Sequence, residues 1–344
     1  MNGEKINFKA WRKDKAPKKI LAIRLHAMGD TVITLPYLQF LAEKYPDIQL
    51  DFLTRKETAE IPQCLELFNK VYALGGGRTN KLILLHALLL LPKLLMQNYD
   101  VVLDLQKNKI SRVVRMLLFP KAWSEFDRFS SQSAGERNRL TIKAAGLGSI
   151  ELGGKFRLKN KNLGIDKLVA YGWNSTDELV VINPAGTFKT RNWGIENYIE
   201  FCSMWLIKRP TSCFLLLGDA RIKEKARLIE DGLSGKVINL VNHTSVAEAF
   251  SILQKVKFML TEDSGLMHMA WTSGVPTLAL LGSSRSDWSA PQGPYSKCLN
   301  SSDLACGACM AAECKYGDVR CLTRYTPQTV VDEAFLLLNK TAKA

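Results

Sequence analysis

Nine short apolar runs recur along the chain, and what lies between them limits its fold more than any other feature. ILAIRL (Ile20 to Leu25), QLDFLT (Gln49 to Thr54), KVYAL (Lys70 to Leu74) and DVVLDL (Asp100 to Leu105) occupy the first half. LVVIN (Leu179 to Asn183), CFLLLGD (Cys213 to Asp219), KVINL (Lys236 to Leu240), KFMLTEDSG (Lys257 to Gly265) and TLALLG (Thr277 to Gly282) occupy the second. Helical segments separate them; in one, Ile195, Tyr198, Ile199, Cys202, Trp205 and Leu206 are spaced to line a single helix face. Apolar strands alternating with helices predict parallel sheets covered on both sides. From Gly153 to Asp177 the chain turns polar and basic and the apolar period disappears. The sequence therefore predicts two α/β domains, 1–165 and 166–344. A length of 344 residues is enough for two cores.

The greasiest segment, Leu82 to Met96, is interrupted by His86, Pro92 and Lys93 and falls short of the roughly 18 apolar residues that span a bilayer. It reads as a helix covering the N-terminal sheet, with a membrane-resting segment as the second reading. The first twenty residues are rich in lysine and lack an apolar core, so the expected location is cytoplasmic. A net charge of +14 predicts a polyanionic partner: nucleic acid, a phosphorylated substrate or an anionic membrane face. Of eight cysteines, Cys64, Cys202, Cys213 and Cys298 read as small apolar residues, while four crowd between Cys306 and Cys321.

Ligands of open parallel sheets bind beyond the carboxyl ends of the strands, so the strand-to-helix turns are where chemistry is sought. The first is Met28-Gly29-Asp30-Thr31. Gly29 permits close backbone approach, and Asp30 is either a helix cap or a general base for a substrate hydroxyl. The second, NPAGTFKTRNWG (Asn183 to Gly194), sets Gly186 and Thr187 beside the cations Lys189 and Arg191, a combination suited to a phosphate-bearing ligand. The third, TEDSGLMHMAWTSGVP (Thr261 to Pro276), offers free amides at Ser264 and Gly265 for a diphosphate. His268 follows on the same helix face, as a ligand contact or a core residue, and Glu262 or Asp263 is placed to accept from ribose hydroxyls. A fourth turn, LGSSRSDW (Leu281 to Trp288), follows the next strand.

In order and spacing these turns resemble the glycosyltransferase family of the bacterial lipopolysaccharide heptosyltransferases, over nearly the whole chain. The resemblance implies a GT-B architecture: two Rossmann-like domains facing each other across a cleft, with the acceptor in the N-terminal one and an ADP-activated heptose in the C-terminal one. It implies an inverting transfer from ADP-L-glycero-D-manno-heptose to a hydroxyl of the lipopolysaccharide inner core, at the cytoplasmic face of the inner membrane. Asp30 looks like the family's catalytic base. Lys189 or Arg191 fills the basic position before the family's Trp, and Asp263, Ser264, Gly265 and His268 look like the donor signature. His26 stands where relatives carry small polar residues. No cofactor and no nucleic acid are implied. On the acceptor side Lys107, Lys109, Arg112, Arg128, Arg137 and Arg139 suit phosphates and carboxylates.

Cys306, Cys309, Cys314 and Cys321 lie within the loop 298–321. Four thiolates make a closed tetrahedral site for structural zinc or iron, and the segment resembles the iron-binding finger of related protein heptosyltransferases; the other reading is four reduced, unliganded thiols. Two other functions fit part of the pattern. A transferase of the same donor to a protein hydroxyl keeps every motif, whereas a basic nucleic-acid-binding protein leaves Asp30 and the Asp263 to His268 segment without a role.

Overall fold

The computed structural model describes residues 6–77, 79–127, 129–233 and 235–341. The chain divides into two units, Met1–Asn160 and Lys161–Ala344, a boundary five residues before the one read from the sequence. The first unit holds β1 (Phe8–Lys9), β2 (Lys19–Arg24), β3 (Gln49–Arg55), β4 (Lys70–Leu74), β5 (Val101–Asp104) and β6 (Ala122–Glu125). The second holds β7 (Glu178–Asn183), β8 (Ser212–Leu216), β9 (Val237–Asn239), β10 (Phe258–Glu262), β11 (Thr277–Leu281) and β12 (Ser296–Asn300). All nine apolar runs form strands. The three unforeseen strands are polar or very short: FK, AWSE and SKCLN.

The first sheet is ordered β1-β6-β5-β2-β3-β4, parallel except for the antiparallel edge strand β1. The second is ordered β12-β11-β10-β7-β8-β9 and is parallel throughout. Apart from the edge strand β1, the chain in each sheet enters near the middle, at β2 or β7, runs outward to one edge, then returns and fills the other side. That reversal opens a crevice at the strand ends between β2 and β5, and again between β7 and β10. Both crevices carry motifs found in the sequence.

Central strands are sealed on both faces: Ile20, Leu21, Ala22 and Ile23 of β2 have no exposure. In the second unit the helix Ile195–Lys208 buries Tyr198, Phe201, Cys202 and Trp205 as its stripe predicts. Trp205 lies 5.0 Å from Phe258 of β10 and 4.8 Å from Phe335, centroid to centroid, joining sheet, helix and the helix Pro327–Thr341. Gly153 packs so closely that a Cβ would sit 2.6 Å from the Phe40 nitrogen, which ties the polar end of the first unit to the helix Met28–Lys44.

The helix Asn80–Leu95 departs from expectation. It gives only Ile83, Ala87 and Leu94 to the core and leaves Leu82, Leu85, Leu88, Leu89, Leu95 and Met96 exposed. A helix covering the sheet accounts for one side of it alone. No helix of the described residues is long and apolar enough to cross a membrane.

Candidate functional site

β2 ends at Arg24, and three residues intervene before the helix Met28–Lys44 begins. Asp30 sits in the first helical turn but makes no cap; the N-cap is Ala27, without a side-chain bond. One Asp30 oxygen accepts from the Arg24 guanidinium at 2.7 Å, and the other lies 2.7 Å from Nδ1 of His26. Arg24 is buried, donates also to the Leu105 carbonyl at the end of the neighbouring strand, and stacks on Phe126 at 4.8 Å. Burial raises the Asp30 pKa, but the His26 hydrogen bond and the Arg24 charge outweigh it and hold the carboxyl well below its usual range. The result is a half-exposed carboxylate, ionised at neutral pH and held in a fixed orientation. Gly29 beside it is partly exposed.

Of the basic residues assigned to an acceptor, Arg137 lies nearest this carboxylate in role, stacking on the Phe126 ring at 5.1 Å and feeling the Asp30 charge. Arg139 is paired with Glu136 at 2.7 Å, and Arg112 lies 3.7 Å from Glu125. Lys109 is exposed and Lys107 half-buried, while Arg128 lies outside the described residues.

In the second unit, a cavity of about 530 Å³ opens at the carboxyl ends of the strands. Asn183, Gly186, Thr187, Ser264 and Gly265 line it, with Asp219, Arg221 and Lys225 opposite. Asn183, the last residue of β7, donates to Thr261 Oγ1 at 2.8 Å and to Ser264 Oγ at 2.7 Å, so it ties β10 to the cap of the next helix. Ser264 caps the helix Gly265–Thr272 by accepting from the Met267 amide. A helix N-terminus with glycine at its first position and open space around it has the field and the free amides that favour an anion.

Glu262 corrects the sequence reading. It is fully buried, and both oxygens are engaged by backbone amides, Gly186 at 2.6 Å and Trp193 at 2.7 Å. It therefore has no oxygen to offer a ribose and instead clamps the loop between Gly186 and Trp193. Burial pushes its pKa up to about 7 against those bonds and the nearby Lys225 charge. Asp263 is the accessible one of the pair, accepting from Ser284 at 2.6 Å and lying 3.6 Å from Arg191. Arg191 thus joins the Asp263 segment, while Lys189 is exposed in the turn Lys189–Arg191. Lys225 went unmarked in the sequence because it lies in an ordinary charged helix. Its ammonium reaches the Pro184 and Gly186 carbonyls at 3.0 and 3.1 Å and the Asn192 side chain.

His268 is buried and lies outside the cavity lining. Its Nδ1 accepts from the Trp271 indole at 3.0 Å, which places the proton of the neutral ring on Nε2. The four cysteines line a separate cavity of about 390 Å³. Among the described residues, however, no three His, Cys, Asp or Glu side chains are gathered closely enough to hold a metal. Cys314 and Cys321 instead direct their thiols at Asp318 and the Thr190 carbonyl, at 3.6 and 3.9 Å. The thiol arrangement therefore does not form the expected tetrahedral ligand set.

Residues 137–320, just over half of the chain, match the model of glycosyltransferase family 9 (heptosyltransferase). The chain belongs to that family. It is a glycosyltransferase with the GT-B fold. The transferase is 25% identical to lipopolysaccharide heptosyltransferase 1 of Pseudomonas aeruginosa, an alignment covering 94% of this chain and all of the relative. A family 9 glycosyl transferase from Veillonella parvula superposes with a TM-score of 0.78 at 17% identity, over 96% of this chain and 100% of that one. The Escherichia coli heptosyltransferase WaaC with ADP-2-deoxy-2-fluoro heptose does so with 0.63 at 18% identity, over 93% and 99%.

Proposed function

We propose that the transferase moves heptose from ADP-L-glycero-D-manno-heptose to a hydroxyl of the lipopolysaccharide inner core, with inversion at the anomeric carbon. The carrying observation is the cavity at the β7/β10 crevice, lined by Gly186, Thr187, Asn183 and the N-terminus of the helix at Ser264 and Gly265, with the Lys225 charge beside it. Free amides at a helix N-terminus, the helix dipole and a nearby positive charge are what a sugar diphosphate requires. The names of the P. aeruginosa relative and of the WaaC complex supply the sugar and the acceptor.

In this reading the acceptor hydroxyl loses its proton to Asp30 as its oxygen bonds to the anomeric carbon. The bond from that carbon to the diphosphate oxygen breaks, and its electron pair leaves with ADP. Arg191, Lys189 and the helix beginning at Gly265 stabilise the charge that develops there. No cofactor is assigned a step. Arg137 and its basic neighbours meet the acid groups of the acceptor. The enzyme works on the cytoplasmic face of the inner membrane, where a lipid-anchored acceptor is presented.

The test is ADP release from ADP-heptose, followed with heptose-deficient lipopolysaccharide and, separately, with a hydroxyl-rich protein acceptor. Turnover with the lipopolysaccharide alone supports the proposal, and the anomeric configuration of the product, read by NMR, checks inversion. Turnover with the protein alone moves the chain to the protein-modifying branch, and turnover with neither overturns both.

A further inference from the structure

The helix Asn80–Leu95 carries two apolar stripes where a surface helix carries one. Ile83, Ala87 and Leu94 face the core. Leu82, Leu85, Leu89, Pro92 and Met96 repeat at intervals of three and four residues along the opposite, exposed side, with Leu88 and Leu95 flanking them. Leu89 is 71% exposed and Met96 80%.

The packed neighbour, helix Lys109–Leu117, extends the patch through Val113, Met116 and then Phe119, which is 82% exposed. Exposed large apolar side chains gathered on two packed helices mark an interaction face. Its chemistry is set by charge. Neither helix contains an acidic residue; Lys81, Lys93 and Lys109 are exposed on them, and Arg112 and Lys121, also exposed, pair with the buried Glu125 and Asp100. From Leu67 to Glu125 there are nine lysines and arginines, of which Arg115 is buried, and three carboxylates, Asp100, Asp104 and Glu125, all buried.

We propose that this face, formed by the helices Asn80–Leu95 and Lys109–Leu117, docks on the surface of an anionic phospholipid bilayer. Leucine, methionine and phenylalanine enter the acyl boundary, and the surrounding ammonium and guanidinium groups meet lipid phosphates. A protein partner or a second copy explains the leucines equally well, but a second copy would set this basic rim against itself. An anionic bilayer complements both parts. The inference rests on the proposed membrane-borne acceptor and adds the surface that brings the enzyme to it.

The experiment is co-sedimentation of the full chain with vesicles of phosphatidylethanolamine and phosphatidylglycerol, compared with pure phosphatidylcholine. The native chain is expected to partition onto the anionic vesicles. The Leu85→Glu/Leu89→Glu double variant is expected to lose at least tenfold of that partition while binding ADP unchanged by calorimetry. Met96→Glu, at a still more exposed position beyond the helix end, gives a second variant should the first fail to fold. Undiminished vesicle binding by the variants, or no binding by the native chain, overturns the proposal. So does a native dimer that the variants convert to monomer in sedimentation velocity. Turnover of a delipidated, soluble acceptor separates the two readings: if it persists while vesicle binding is absent, the docking face fails and the transferase assignment stands.

Discussion

Asp30 makes two side-chain bonds that a helix-capping aspartate would not make, and both hold it ionised. Asp30→Asn is expected to lower kcat by about 10²- to 10⁴-fold, the usual span of a general base, with ADP affinity unchanged by calorimetry. His26→Ala removes the hydrogen bond that most strongly depresses the Asp30 pKa, so protonation moves to higher pH. The acid limb of the pH–kcat profile should therefore shift upward in that variant, with Arg24 and Arg137 setting what field remains. The aspartate was legible in the sequence from its place after a strand. Its anchoring through Arg24 to Leu105 was not, because those two residues are 81 apart in the chain and meet only through strand pairing.

At the scale of elements, the loop from Gly186 to Trp193 is held by one buried carboxylate and by tight packing. A Cβ on Gly186 would sit 2.1 Å from the Arg191 carbonyl and 2.8 Å from Glu262, so Gly186→Ala must displace the loop. The expected cost is about 1–3 kcal/mol of stability together with weakened ADP binding, read by denaturation and calorimetry. Glu262 has its pKa raised to about 7 in the fold, from about 4.3 in the unfolded chain. Below the unfolded value both states are protonated and there is no effect. Between the two values the fold holds the extra proton, so stability falls as pH rises, and above about 7 the loss is complete. Glu262→Gln should flatten that slope in thermal unfolding between about pH 4.5 and 7, whatever its offset at any one pH.

Nine of the twelve strands among the described residues were legible because buried parallel strands read as unbroken apolar runs. β6 and β12 were not: AWSE and SKCLN owe their extended form to pairing with a neighbour rather than to their own residues. The helix Asn80–Leu95 was legible as a helix, but which of its apolar sides meets the sheet depended on the packing around it.

For the whole molecule, a net charge of +14 is a prediction about ionic strength. Exposed charges are screened over about 8 Å at 0.15 M salt, so the KM for an anionic acceptor should rise steeply between low salt and about 0.5 M. Donor binding, at a partly enclosed helix N-terminus, should change less. Steady-state kinetics in both substrates across a salt series checks this, and equal sensitivity of the two would place the useful charge at the donor site.

The sequence by itself determined two α/β units, the turns that face ligand and the residue types in them, because strand burial, helix periodicity and strand-end turns are local properties of a chain. Only the tertiary structure decided that Glu262 holds a loop rather than a ribose, that Lys225 lines the cavity, that the cysteines share a space without forming a ligand set, and that a row of leucines faces outward. Each of these depends on which atoms are brought within a few ångströms by the packing of distant segments, and hydrogen bonding, burial and ion pairing all act at that range.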